Sequence, residues 1–313
     1  TYCNRVYRDI PKQMRVVQSP GSDRAGFARM SRSVRYGMSD LGQDVCVAGF
    51  RATMNSICAN YPVVVHACSQ GTATVMNAMC SAHTLPWHER VRLVVLESVV
   101  ASGTSAIWHT LMNNPQYGQM QRWRRELEWA RAPYWVTWAS KLVLFRKYRP
   151  GGMQPVKHIH QFPPNIPVLI VHSEDDHTTA LDDALAVWGA LRQQQRPVFM
   201  IRFAGDRHLG LLHSAVHFDG PCPSTDFDMP RFVQAALARN IDAMRALCPE
   251  YVTANGCAQT TEHMDAMRPE RVYAQLLRRE RIMPWVPAVA ALMLVLFGCF
   301  LAAAIYGVVY FVM

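Results

Sequence analysis

Three kinds of side chain that serve acyl-transfer chemistry follow strand-like runs in this 313-residue chain. Ser69 comes after Val63, Val64 and Val65, inside the small-residue turn Ala67, Cys68, Ser69, Gln70, Gly71. Asp175 and Asp176 follow the run from Val168 to Val171, and His208 follows the run from Val198 to Phe203. A serine hydroxyl is a weak nucleophile at neutral pH. It attacks a carbonyl when an imidazole takes its proton, and a carboxylate then holds the imidazole tautomer and stabilises the cation. All three groups fall at the carboxyl ends of predicted strands, where open parallel sheets gather their ligands.

The elements that must position them alternate along the chain. The valine run before Ser69 reads as a buried strand. Ala73, Val75, Met76, Ala78 and Met79 after it suit a helix. A strand, a tight turn and a helix with serine at the apex form a nucleophile elbow. Gly71 is expected to let the helix pass close to the strand, where a Cβ would clash. Upstream, Met14 to Gln18 reads as a strand. A helix is expected from Ser39 and Asp40, with Leu41, Val45, Ala48, Ala52 and Met54 at helical spacing, to about Ala59. Val91 to Leu96 gives a further strand, ending at Glu97 and Ser98. Strands alternating with helices imply a parallel sheet with helices on both faces.

About 65 residues separate the strand at Val91 from the one at Val168, and they are rich in Trp and Tyr, from Trp108 to Tyr148. A connection of that length inside an α/β unit is usually functional. It reads as a helical cap, a few of whose aromatics line an apolar pocket. Phe232 to Leu247 reads as one amphipathic helix, residues 249–268 as a polar linker, and Arg268 to Arg281 as a basic helix.

Each candidate has a plainer alternative. The chain has 12 histidines, and His172, His177, His213 and His217 lie near the same loops as His208. His66 reads equally as a core histidine. Asp175 or Asp176 could cap the helix expected near Thr178. Glu97 is an alternative acid at the end of its own strand.

In these motifs and their order the chain resembles the α/β-hydrolase superfamily, from about Met14 to about Val216. The segment from Pro167 to Asp176 is similar to that family's Pro-strand-His-Gly-x-x-Asp segment, with Ser173 where Gly is common. Gly205, His208 and Leu209 resemble its Gly-x-x-His-Leu loop. The resemblance implies a triad of Ser69, Asp176 and His208, with Asp175 as the fallback acid and the backbone N–H of Gln70 as an oxyanion donor. It is nearest to serine-peptidase-like and lipase-like members with an inserted cap. A His-Gly loop that supplies the other donor in such enzymes has no counterpart before the first strand. Either that part was removed, or the fold is a reduced core in which Gly21 or Ser22 serves. The start at Thr1, without a signal-like apolar run, reads as a processed end.

Half the residues are apolar, enough for a sizeable core, and the formal charge is +9. The Lys and Arg residues are spread out and form no nucleic-acid motif, so the charge suits an anionic membrane surface and no nucleic-acid partner is expected. The nine cysteines include no zinc-like C-x-x-C pair, so no metal or cofactor is expected, and Cys46, Cys58, Cys80 and Cys299 read as buried free thiols. Cys222, Cys248 and Cys257 sit in more polar sequence.

From Trp285 to Met313 there is no Asp, Glu, Lys, Arg or His. That run exceeds the roughly 20 residues needed to cross a bilayer. Trp285, Tyr306 and Tyr310 suit interfacial positions, and Arg278, Arg279 and Arg281 place the main body on the cytoplasmic side. The expected organisation is an α/β-hydrolase-like body over 1–248 with a cap insertion at 103–165, a linker and basic juxtamembrane helix over 249–283, and a transmembrane tail anchor over 284–313. The expected activity is a membrane-anchored serine hydrolase cleaving an ester, thioester or amide, with small-molecule or lipid-like acyl substrates. The alternative is an inactive α/β-hydrolase fold acting as a membrane-tethered binding module.

Overall fold

The computed structural model describes residues 40–57, 60–80, 85–113, 154–174, 176–203, 228–248, 252–253, 268–282 and 285–312. The expected strand at Met14 to Gln18, the loop with Gly21 and Ser22, and the cap aromatics from Trp123 to Tyr148 lie outside these residues, as do Cys58, Cys222 and Cys257.

Among the described residues the strands are β1 (Val63–Cys68), β2 (Val91–Glu97), β3 (Val168–Ser173), β4 (Val198–Phe203) and β5 (Val252–Thr253), side by side in chain order. Every neighbouring pair is parallel. Parallel strands need crossovers of a dozen or more residues, usually through helices, so both faces of such a sheet become covered. That is why β2 and β3 read as continuous apolar runs and not as alternating ones. All but Arg92 of β2, and every residue of β3, are buried.

The period of two along each strand sorts these side chains onto two cores. Val65, Ala67, Val94, Leu96, Val168, Ile170 and Met200 point to one face. They meet α1 (Asp40–Ser56), α2 (Gln70–Met79) and α4 (Leu181–Gln193) there, α3 (Gly103–Asn113) lying between α2 and α4 in the chain. Cys46, Phe50 and Met54 are spaced by four, so they form one stripe of α1, and all three are buried. Phe50 meets Trp87 edge-to-face with ring centroids 5.9 Å apart. Leu93, Val95, Leu169, Val171, Phe199 and Ile201 point to the other face, against α5 (Met229–Leu237) and α6 (Ile241–Leu247). Phe199 and Phe232 stack edge-to-face across that layer at 5.2 Å.

The expected single helix from Phe232 to Leu247 is two. Arg239 adopts the left-handed φ of 56°, and the Asn240 side chain accepts the N–H of Ala243, starting α6 afresh. Asparagine satisfies an orphan donor at a helix start, so it favours a cap over a helix interior. Within the expected linker, Val252 and Thr253 pair with Ile201 and Arg202 as β5. A strand of two residues carries too little pattern to be read from sequence.

The basic helix is observed as α7 (Pro269–Ile282). It packs along α4, with Leu276 buried and Val272 and Tyr273 against the same core. This explains why α4 is buried almost all round, from Asp183 to Leu191, since the sheet lies on one side and α7 on the other. The fully buried Glu280 of α7 accepts the Ser102 hydroxyl and, at 2.6 Å, the Gln154 amide. Ser102 in turn accepts the N–H of Ser105 in the first turn of α3, as an N-cap does.

Asp183 reaches the same corner. Its Oδ2 accepts the N–H groups of Ala101 at 2.9 Å and Ser102 at 3.3 Å. Burial pushes this carboxyl up from 3.8 to about 6, against the opposing pull of Ser105, the Arg279 charge and the two backbone donors. Between those values the folded protein keeps a proton that the unfolded chain has released. The stabilisation from Asp183 is therefore complete below pH 3.8 and is lost as pH rises through about 6. The expected loss is about 3 kcal/mol. Urea unfolding between pH 4 and 8 should show a slope in the wild type that Asp183→Asn lacks; parallel curves would contradict it.

The last helix, α8 (Val286–Val312), runs for 27 residues. Leu292, Leu294, Phe297, Phe300 and Ile305 are exposed on it, and Cys299 is free and exposed where a buried thiol was expected. Within α8, side chains are described only at 289 and 291–305. Counted over the described residues, no helix is long and apolar enough to cross a membrane. Cys46, Cys80 and Cys248 are buried thiols, and burial pushes the Cys80 and Cys248 thiols up to about 12.

Candidate active site at the carboxyl edge of the sheet

Ser69 stands between the end of β1 and the first residue of α2, with φ 50° and ψ −125°. A positive φ at a non-glycine residue costs of order 1–3 kcal/mol, and such strain concentrates at functional sites. The turn is held from both sides. The Ser69 N–H donates to the Glu97 carbonyl at 2.9 Å. Its own carbonyl accepts the Thr72 N–H at 2.9 Å and the Thr72 hydroxyl at 2.6 Å.

The role expected of Gly71 is not what holds this turn. A Cβ there would meet only the Ala67 Cβ, at 4.0 Å, an ordinary contact. Ala67, the residue it would meet, is itself buried.

Asp176 follows β3 and is buried. Its Oδ1 accepts the N–H groups of Thr178 at 2.7 Å and Thr179 at 3.0 Å, and its Oδ2 accepts the Thr179 hydroxyl at 2.6 Å. The capping alternative is thus realised one turn early: Asp176 closes its own loop, and α4 begins only at Leu181, after Ala180, which makes no side-chain cap. His109 of α3 lies against the Asp176 carbonyl, with its Nε2 at 2.6 Å. The Thr110 hydroxyl donates to the Thr178 carbonyl at 3.0 Å. α3 therefore braces this loop, a role no sequence motif announced.

Hydrogen bonds to the adjacent backbone N–H groups of Val99 and Val100, just after β2, link the two positions. The Thr72 hydroxyl that donates to Ser69 accepts the Val100 N–H at 3.0 Å. Next door the Val99 N–H donates to Nδ1 of His172 at 3.2 Å, and Nε2 of His172 reaches the Thr179 carbonyl at 3.2 Å. That pattern assigns His172 the neutral tautomer with its proton on Nε2. Buried and engaged at both nitrogens, it is a framework residue and drops out as a candidate base.

Glu97 ends β2 and is fully buried. Its Oε2 lies 3.1 Å from Nε2 of His66, so the expected core histidine has a carboxylate partner. The Gln70 side chain sits at the start of α2 with a buried Nε2 that has no hydrogen-bond partner among the described residues. His208, Asp175, His213 and His217 lie outside the described residues. The structure thus brings Ser69, Gln70, Glu97 and Asp176 to one edge of the sheet and describes no histidine in a relay with Ser69. Arg202, at the end of β4, pairs with Glu174 after β3. Burial lowers the Arg202 pKa, partly offset by that carboxylate.

No protein-family model matches the chain, and no curated protein matches it. Five solved chains do. Among them is a Pyrococcus horikoshii acylaminoacyl peptidase (orthorhombic crystal form), with 10% sequence identity and a TM-score of 0.36, over 55% of this chain and 25% of that one. The matched part is thus about a quarter of the peptidase's length. What the described residues establish is an α/β fold with a parallel sheet covered by helices on both faces.

Proposed function

We propose that this chain is a serine hydrolase of the α/β-hydrolase type, held at a membrane by α8. The observation that carries the reading is the backbone of Ser69, a non-glycine residue at φ 50° on a strand-to-helix turn, the conformation that lifts a nucleophile clear of its sheet. In this mechanism the Ser69 hydroxyl attacks the carbonyl of an ester, thioester or amide. His208 accepts its proton and passes it to the leaving group, and Asp176 holds the imidazole tautomer. The backbone N–H of Gln70 faces the oxyanion, a contribution of about 3–4 kcal/mol for a donor of this kind. Water then releases the acyl group from Ser69, with the same imidazole as base. Lipid-like acyl substrates suit a body tethered beside a bilayer. A fluorophosphonate probe tests the reading, as argued in the Discussion.

A second reading rests on Asp176, whose two oxygens already take three hydrogen bonds from its own loop. In that case the carboxylate is purely structural and the chain is a tethered binding module. Asp176→Asn separates the two: a fall in probe-labelling rate with an unchanged unfolding midpoint supports the triad, whereas a lower midpoint with an unchanged rate supports the module.

The membrane part of the proposal rests on the apolar sequence and length of α8. Twenty-seven residues at about 1.5 Å each give a helix of about 40 Å, longer than the roughly 30 Å hydrocarbon core. Arg278, Arg279 and Arg281 precede it and favour a cytoplasmic body. The full chain should stay with membranes through an alkaline carbonate wash, and a chain ending at Ile282 should be released. Release of the full chain would overturn the anchor.

A further inference from the structure

We infer that His66, Cys68 and Glu97 form a binding site for a thiophilic divalent cation of the zinc class, beneath the elbow that carries Ser69. The three side chains come from neighbouring strands. In the β1–β2 register Cys68 lies opposite Glu97, and His66 precedes Cys68 by two residues, so strand alternation sends all three to the same face. Nε2 of His66 is 3.1 Å from Oε2 of Glu97, Sγ of Cys68 is 3.7 Å from that nitrogen, and the same sulfur is 3.7 Å from that oxygen. The donor atoms all lie within 4.8 Å of one another.

The shape of this triangle is the argument. Zinc bonds to nitrogen and oxygen at about 2.0–2.2 Å and to thiolate at about 2.3 Å, and tetrahedral angles between such bonds place the ligand atoms about 3.3–3.6 Å apart. The observed edges bracket that range, with the sulfur edges longer than the nitrogen–oxygen edge, as the longer metal–sulfur bond requires. One nitrogen, one sulfur and one carboxylate oxygen form a donor set that zinc accepts. Three ligands come from the described residues, and a tetrahedral site takes a fourth. The plain alternative is a buried imidazole–carboxylate hydrogen bond with a thiol beside it. That reading has the Cys68 thiol donating to Glu97 across 3.7 Å; the metal reading accounts for all three edges with a single occupant. On binding, the metal displaces the proton held between Nε2 of His66 and Glu97, the neutral imidazole then carrying its proton on Nδ1, and Cys68 binds as thiolate, its proton going to solvent.

The site is independent of whether Ser69 is a nucleophile, and the experiment is chosen accordingly. Full-length protein in detergent, stripped with a chelator, is titrated with Co²⁺ alone. The expected result is a thiolate-to-cobalt charge-transfer band in the near ultraviolet that saturates at one equivalent and is displaced by Zn²⁺. Cys68→Ser should abolish the band, Ser69→Ala should retain it, and Glu97→Gln should weaken affinity at least about 10-fold. Zn²⁺ should raise the unfolding midpoint of the wild type but not that of Cys68→Ser. His66→Gln gives a second ligand deletion should Cys68→Ser fold poorly. No band in the wild type, or an equal band in both ligand deletions, overturns the site and leaves the hydrogen-bonded trio.

Discussion

Ser69→Ala is expected to abolish labelling by a fluorophosphonate and to lower hydrolysis of an activated ester by at least about 10³-fold. Removing the nucleophile of a triad leaves only the rate gained from binding and the oxyanion donors, which act as a separate unit. The variant should fold normally. Alanine removes one hydroxyl and keeps the backbone contacts of Ser69 that brace the turn: its N–H to the Glu97 carbonyl and its carbonyl to Thr72. The left-handed φ of 50° is as awkward for alanine as for serine, so a small shift in stability is expected and no change of fold. Thr72→Ala is the informative companion. It removes the hydroxyl that donates to Ser69 and accepts from Val100 and leaves the nucleophile in place. Labelling should slow with Thr72→Ala and vanish with Ser69→Ala. Equal labelling of wild type and Ser69→Ala would remove Ser69 from the chemistry.

The second large effect concerns packing. Gly189→Val is expected to destabilise the protein by about 3 kcal/mol, because α4 and α7 touch at this residue. A Cβ at Gly189 would sit 2.6 Å from the Pro269 carbonyl carbon, 2.7 Å from its oxygen and 2.9 Å from the Glu270 nitrogen. These are backbone atoms of a helix start and cannot swing aside as a side chain can. Gly189→Ala meets the same clash but gains about 1 kcal/mol of helix propensity, so its net loss should be smaller, about 1–2 kcal/mol. Gly49, within α1, is the control, with nothing within 4 Å of an added Cβ. There the same change to alanine should raise stability by about 0.5–1 kcal/mol. Opposite signs at the two glycines, read by thermal or urea unfolding, are the prediction. A stabilising Gly189→Ala would mean that α7 does not press on α4 in solution.

How much of the fold could be read in advance depended on how local its cause was. The strands Val63–Cys68, Val91–Glu97, Val168–Ser173 and Val198–Phe203 were all legible, because strands buried on both faces become dense apolar runs. The division at Arg239 and Asn240 was missed, since the apolar spacing continues through it and only the cap chemistry of one asparagine interrupts it. β5 was missed because its two residues are recruited by the free edge of β4. α7 was recognised as a basic helix, but its burial was not. The clue was Glu280, an acid among arginines, whose partners Ser102 and Gln154 lie 178 and 126 residues away in the chain.

The same distinction separates the two sites. The elbow was written in consecutive residues, so strand, turn and Ser69 followed from the sequence, and the strained φ agrees with that reading. Sequence order also showed that Asp176 follows β3, although not the three hydrogen bonds with which it closes its loop. The fate of His172 and the convergence of His66, Cys68 and Glu97 were decided only by tertiary structure. Strand register brings together atoms separated by 29 and 31 residues, and no local spacing encodes that meeting. What a short stretch of chain can satisfy by itself was legible in the sequence. What depends on the pairing of one strand with another had to wait for the sheet.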